Sequence, residues 1–261
     1  MSIVKEIQAS GILERMKPIS LDEMKTVRLM SRTDTKYVAA ERMLIPILEK
    51  AAENGYSVQY TTTALGGYDS VYYDTDALEM YVKHHNRILT RQKIRVRTYL
   101  DSGIKFFEIK NKTNKGRTKK IRIPVENTGS ENVFENGEIS GFLQANSKYT
   151  PEMLTPSLQT GFHRITLVNP QKTERITIDT DVEFHNFRSG KSGSLDGLVI
   201  IELKKDGRYA STIGNVLRDF RIKPFKISKY CIGTVLTNPD VKANRFKRKI
   251  HLMNIIKNKT I

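Results

Sequence analysis

The residues best placed to do chemistry are cations at every second position between Arg91 and Val125. In RQKIRVRTYL, Arg91, Lys93, Arg95 and Arg97 share one face of an extended segment, with Ile94 and Val96 on the other. In FFEIKNK, Glu108, Lys110 and Lys112 oppose Phe107 and Ile109. In KKIRIPV, Lys120 and Arg122 oppose Ile121, Ile123 and Val125. Asp101-Ser102-Gly103 and Asn114-Lys115-Gly116 are turn formers between these segments. Paired as a meander, the strands stack up to eight cations and one carboxylate on a single sheet face. Like charges opposite one another across a sheet are destabilising, so a face this one-sided predicts a polyanionic ligand. Side chains this long and charged line a closed barrel only where its interior is wet.

Such residues suffice for phosphoryl transfer, in which the protein holds phosphates in line, neutralises their oxygens and seats a divalent metal. Arg offers bidentate phosphate contacts and Lys a point charge. A glutamate among these cations stays ionised at neutral pH and suits Mg²⁺ or Mn²⁺. Glu202 in VIIELK is such a residue: Ile201 and Leu203 turn toward a core, and Lys204 shares the face of Glu202. An ionised carboxylate on a packed strand needs a partner, either that lysine or a bound metal.

Other chemistries find less support. The glycines of GGYD and SGKSGS lack the spacing of a phosphate-binding G-x-x-x-x-G-K-[ST] loop. His84 and His85 are adjacent, which points them apart on a strand and about 100° apart on a helix. No Gly-x-Ser-x-Gly elbow occurs. The single cysteine, Cys231 in YCIGTVL, excludes an internal disulfide and reads as a buried, inert thiol in a reducing compartment.

The whole chain shares the basic bias. Its 261 residues carry 44 Lys plus Arg against 28 Asp plus Glu, a formal charge of +16 and a pI of about 9.8. That balance predicts phosphate-rich partners: nucleic acid, nucleotide, polyphosphate or an anionic membrane surface. No apolar run approaches the ~20 residues of a membrane span and no signal-peptide core is present, so a cytoplasmic protein is expected.

The elements that must position the cations follow from pattern. Residues 1–30 read as two short helices separated by Pro18, the second opened by a Ser20/Glu23 capping box. SRTDTKYVAA is a strand with Arg32, Asp34 and Lys36 on one face. A helix from Glu41 to Asn54 ends at Gly55, with Pro46 in its first turn. Strand, turn and strand follow from Ser57, and LEMYVKHHNR leads into the basic meander. A polar loop runs from Val125 to about Gly137, then a helix near Ser140–Lys148. SLQTGFHRITLV aligns Thr160, Phe162, Arg164 and Thr166, and ERITIDTDVEFHN aligns Arg175, Thr177, Asp179 and Asp181. SGKSGSLDG is a loop, Ser211 caps a helix to Phe220, and Lys226 and Ser228 lead into a last helix. Beyond Val241 lies a basic tail. These elements make an α+β fold on an antiparallel sheet or tunnel of about eight strands, with peripheral helices.

The ordered series RTDTKYV, VYYDT with Tyr81, KIRVR, FFEIKNK, KKIRI, FHR, RITIDT, VIIELK and KISKY resembles the VTC domain, the polyphosphate polymerase branch of the CYTH-like triphosphate tunnel metalloenzymes. The likeness covers roughly residues 28–236. It implies an antiparallel eight-stranded β-tunnel over 31–238, preceded by a helical segment (1–30) and followed by the tail (239–261). It implies catalytic roles for Arg95, Arg97, Lys110, Arg175 and Lys229, and substrate binding by Lys36, Lys120, Arg122, Arg164, Lys226 and Ser228. Glu202 would be the ligand of Mn²⁺ or Mg²⁺. Two positions depart from the pattern: His163 precedes Arg164 in place of another polar residue, and acidic Glu126 replaces a lysine.

The expected activity is transfer of the γ-phosphate of ATP to inorganic polyphosphate, with triphosphate hydrolysis as the alternative on the same residues. The resemblance also implies a stand-alone catalytic module that could act beside a separate membrane protein. A nucleic-acid-binding barrel is disfavoured because Arg95, Arg97, Lys110 and Lys120 are flanked by aliphatics and no Trp platform exists. Removing a single cation, Arg95 or Lys110, should relieve repulsion and leave stability unchanged or slightly raised. In the tail, Arg245–Lys249 with Ile250, Leu252 and Ile255–Ile256 suit either an amphipathic helix for peripheral docking on the inner face of a membrane or on a partner, or a frayed, solvated terminus.

Overall fold

The computed structural model describes residues 3–27, 32–126 and 133–259. The last residues of the expected second helix, the first of the following strand and part of the polar loop after Val125 lie outside them.

The strands are β1 (Pro18–Ile19), β2 (Arg32–Ala40), β3 (Ser57–Gln59), β4 (Leu65–Asp74), β5 (Arg91–Tyr99), β6 (Lys105–Lys112), β7 (Thr118–Pro124), β8 (Thr155–Val168), β9 (Glu174–Asn186), β10 (Ser192–Ser194) and β11 (Leu198–Asp206). The helices are α1 (Ile3–Ser10), α2 (Leu21–Lys25), α3 (Leu44–Glu53), α4 (Glu79–His85), α5 (Gly137–Asn146), α6 (Thr212–Asp219), α7 (Lys229–Thr237) and α8 (Asn244–Asn258). Ser20 caps α2 in the expected box, closed by the Glu23 side chain. Three elements escaped the reading of the sequence: β1, the short strand β10 inside the SGKSGS loop, and α4.

Eight strands form the main path, in the order β2-β11-β9-β8-β4-β5-β6-β7, and every pair along it is antiparallel. The expected tunnel is therefore an open one: β2 and β7 are the ends of the path and do not pair with each other among the described residues. The sheet nevertheless curls strongly. Glu202 on β11 lies five strands from Lys110 on β6, which in a flat sheet would be roughly 24 Å away at ~4.8 Å per strand. Yet the Glu202 charge acts on Lys110, and Lys36 on β2 acts on Lys93 on β5.

Period-two alternation sorts the two faces. Ile165, Leu167, Ile176, Ile178, Val199, Ile201 and Leu203 point outward, into a core shared with α1, α3 and α6. Ile94, Val96, Phe107 and Ile109 do the same under α5. The inner face is divided along its length. At one end Leu158, Val182, Phe184, Leu198 and Ile200 pack on α7, with Phe246 and Met253 of α8 closing the cluster. At the other end the inward positions turn charged: on β11, Leu198 and Ile200 give way to Glu202 and Lys204.

A bulge makes the same switch on β8 and β9, where the register shifts between Gly161 and His163 and Asp181 adopts φ 48°. The extra residue re-aims the strand, so Val182 and Phe184 face α7 whereas Thr177 and Asp179 face the charged end. This corrects one expectation: Asp181 does not share the face of Asp179 but lies 3.7 Å from His163. Nor is the tail a free amphipathic helix. Ile250 and Ile256 of α8 pack against the domain beside buried Phe246 and Met253.

Candidate functional site

Three carboxylates organise the charged inner face, each shared by two cations. Glu108, fully buried on β6, accepts from Arg95 Nε at 2.8 Å and Nη2 at 2.5 Å, and from Lys120 Nζ at 2.9 Å. Arg95 stands directly opposite Glu108 in the register, whereas Lys120, opposite Lys110, reaches it diagonally from β7. Asp179 on β9 accepts from Arg164 Nε at 2.5 Å and Nη2 at 2.8 Å, and takes a close contact from Lys229 Nζ at the start of α7. Glu202 on β11 accepts from Lys36 Nζ at 2.8 Å and Lys204 Nζ at 2.7 Å. Burial raises each carboxyl, but its two cations outweigh burial and hold all three well below the usual carboxylate range.

Four further cations of this face form no ion pair with a carboxylate among the described residues. Arg97, which is buried, donates to Ser70 Oγ at 3.1 Å and lies over the rings of Tyr68 and Phe162. Burial and the charges of Arg95 and Arg164 push it down to about 10. Lys110 forms no ion pair among the described residues; the Arg95 charge, burial and Arg97 push its ammonium well below the usual lysine range. Arg175 keeps a buried Nε without a hydrogen-bond partner. Lys93 donates to Ser228 Oγ at 2.7 Å and lies 5.9 Å from the centre of the Tyr230 ring. Burial lowers Lys229 to about 8 despite Asp179 beside it.

The structure thus gathers Lys36, Arg95, Arg97, Lys110, Lys120, Arg164, Arg175 and Glu202 on one concave face, as their alternation predicts, and Lys229 joins them from the start of α7. Ser228 caps α7, accepting from Cys231 N, and joins them through Lys93. Two residues stand at the edge. Arg122 is exposed and lies over Phe106 at 4.0 Å. Lys226 is exposed on the rim, where its carbonyl accepts from Lys249 Nζ at 2.6 Å.

Several contributors went unnoticed in the sequence. Asp179 is bound to Lys229 fifty residues away, a pairing no local spacing reveals. Tyr72 accepts from Arg95 Nη1 at 2.9 Å; burial raises its phenol, but Arg95, Arg97 and Lys93 bring it down to about 8. Aromatic rings do stand among the cations, contrary to the view from neighbours in sequence. Tyr68 and Phe162 stack at 5.3 Å and hold Arg97 and Arg164, although they come from β4 and β8.

Outside this face, Cys231 is fully buried and its Sγ lies 2.9 Å from His84 Nδ1. Burial raises the thiol, and burial with nearby cations lowers His84 to about 2, so the pair is a neutral thiol and a neutral imidazole. Among the described residues no helix is long and apolar enough to cross a membrane.

Residues 31–238 match the VTC domain. The chain belongs to the VTC-domain family. The fold is also shared with proteins of known structure. A candidate adenylate cyclase from Bacillus halodurans superposes with a TM-score of 0.51 at 12% identity, covering 84% of this chain and 100% of that one. A second from Vibrio parahaemolyticus gives 0.47 at 13% identity, over 78% of this chain and 99% of that one. A candidate adenylyl cyclase from Hippeastrum, described as having a dominant triphosphatase activity, gives 0.49 at 12% identity, over 80% and 97%. No curated protein matches the sequence. Family and fold together support a tunnel-type phosphoryl enzyme.

Proposed function

We propose that this VTC-domain protein transfers the γ-phosphoryl group of a nucleoside triphosphate, with ATP as the expected donor, to the end of an inorganic polyphosphate chain. The observation that carries this reading is uncompensated charge: Arg97, Lys110, Arg175 and Lys93 sit on the inner face without an ion-paired carboxylate among the described residues. A buried cation without an anion is costly, and a chain of phosphates removes that cost along its whole length.

The pairs around Glu108 and Asp179 have a different role. Each fixes the guanidinium of Arg95 or Arg164 in one orientation, so that its free N–H groups meet phosphate oxygens with little reorganisation. Arg175 and Lys110 neutralise charge from β9 and β6, and Lys229 does so from α7. Lys36, Lys120, Arg122, Arg164, Lys226 and Ser228 seat the remaining phosphates. In the reaction a terminal oxygen of the acceptor phosphate bonds to the γ-phosphorus while the bond from that phosphorus to the bridging oxygen breaks, releasing the diphosphate. The attacking group belongs to the substrate, so no side-chain nucleophile is required.

A divalent metal fits this face at Glu202, whose carboxylate is held ionised. No group of three or more metal-binding side chains occurs among the described residues, which suits Mg²⁺ or Mn²⁺ completed by substrate oxygens and water. When bound, such an ion would supply charge neutralisation and alignment of the phosphate oxygens.

A time course of the purified protein with ATP and Mn²⁺, run on a gel that resolves chain length, tests the proposal. A ladder of lengthening polyphosphate is expected. Orthophosphate alone would show that water is the acceptor and the protein a triphosphatase.

A further inference from the structure

A second basic cluster stands on the rim, where the inner face ends. Arg87 and Arg91 flank the turn between α4 and β5, Lys112 ends β6, Lys226 precedes α7, and Lys249 lies on α8. Lys249 Nζ donates to the Lys226 carbonyl at 2.6 Å, which ties two of these elements together. Burial and the charges of Arg87 and Lys226 lower the Lys249 ammonium, and burial with Arg91 and Lys226 lowers Lys112. Lys226 thus acts on both Lys249 and Lys112, with Arg87 beside the first and Arg91 beside the second. Among the described residues none of them is in an ion pair with a carboxylate.

The same turn presents two adjacent aliphatics, Ile88 and Leu89, 44% and 52% exposed. They are held outward by defined contacts. Arg87 takes φ 63°, Ile88 N donates to the Lys83 carbonyl at 2.9 Å, and Arg91 Nη1 donates to the Ile88 carbonyl at 2.7 Å. A left-handed arginine costs conformational energy, so the turn is fixed in this shape by its surroundings. On α8, Arg245, Lys249 and Leu252 follow one another at helical spacing, and Leu252 is 37% exposed.

A dissolved polyanion accounts for the cations but gains nothing from neighbouring aliphatics. An anionic bilayer uses both, with lysine and arginine at its headgroup phosphates and aliphatic side chains at the acyl boundary. We infer that this rim seats the protein on an anionic phospholipid surface, with Ile88 and Leu89 inserted and Arg87, Arg91, Lys112 and Lys249 on the headgroups. The anchor is thus the α4–β5 turn with the exposed side of α8, since the apolar side of α8 is already packed on the domain.

Flotation of the full chain with vesicles tests this, comparing phosphatidylcholine alone with phosphatidylcholine mixed with phosphatidylglycerol. The wild type should float only with the anionic vesicles. Ile88→Ser/Leu89→Ser and, separately, Arg87→Glu/Lys249→Glu should each weaken binding at least tenfold. Both should keep the wild-type melting temperature, and the Ile88→Ser/Leu89→Ser protein should turn over ATP in solution as before. Failure of the wild type to float overturns the inference. So does a serine variant that floats like the wild type while the charge-reversed one does not, because the rim would then be a track for soluble polyanions.

Discussion

Lys36 and Glu202 stand opposite each other in the register of β2 and β11, and the Lys36 ammonium donates to the Glu202 carboxylate at 2.8 Å. Lys204 occupies the other oxygen at 2.7 Å. In the empty protein the expected metal-binding carboxylate is therefore a bridge between two lysines. Phosphate oxygens arriving on this face would give both ammonium groups new partners and leave the carboxylate for a divalent ion.

Glu202→Gln separates the two roles. The amide keeps the shape and loses the charge, so metal-dependent turnover should fall roughly 100-fold or more. Binding of a non-hydrolysable triphosphate without metal should survive or tighten, because Lys36 and Lys204 are released to the ligand. Calorimetric titration of Mn²⁺ into the triphosphate complex checks this; unchanged metal affinity would remove Glu202 from the metal site.

Arg95 and Lys110 both belong to the basic meander, yet they should respond differently to removal. Arg95 is paired with a fully buried carboxylate, so Arg95→Ala leaves Glu108 with Lys120 alone. Breaking a buried pair of this kind costs about 3–5 kcal/mol, which a denaturant melt of the empty variant should show. This reverses, for Arg95, the expectation that its removal leaves stability unchanged or slightly raised. A variant as stable as the wild type would mean that Lys120 neutralises Glu108 unaided.

Binding should depend on pH through the lysines that burial depresses. Lys229 is pushed down to about 8 in the empty protein, and an incoming phosphate raises it again. Below that pH both states carry the proton and affinity is flat. Above it the free protein has lost a proton that the complex retains, so affinity should fall by up to about tenfold per pH unit. Lys110, also depressed, acts in the same direction. Calorimetry in two buffers of different ionisation enthalpy should report proton uptake above pH 8, and affinity that stays level or rises there would contradict the assignment.

Much of this site was legible in the sequence because strand alternation is local. Arg95 and Arg97, Lys110, and Lys120 need only their own neighbours to be placed on one face. What lay beyond reach depends on how strands meet. The Asp179–Lys229 contact joins β9 to α7, and the Tyr68–Phe162 stack joins β4 to β8. The turn of Asp181 away from the site comes from one extra residue in a bulge, which leaves no pattern in a single sequence. The open edge between β2 and β7 is equally silent, since hydrophobic alternation is the same whether or not a sheet closes. The covered side of α8 was present as Phe246 and Met253 at heptad spacing, but the basic residues around them drew the reading toward a free tail.

The central claim is that uncompensated charge on the inner face exists for a polyphosphate ligand. The melting temperature of Lys110→Met, with and without tripolyphosphate, tests it most directly. Methionine keeps an unbranched stem and removes only the charge. Empty Lys110→Met should melt at or above the wild-type temperature, because a cation crowded by Arg95 and Arg97 has been removed. Most of the stabilisation that tripolyphosphate gives the wild type should be gone. A variant that melts lower when empty and keeps the full tripolyphosphate shift would contradict the account.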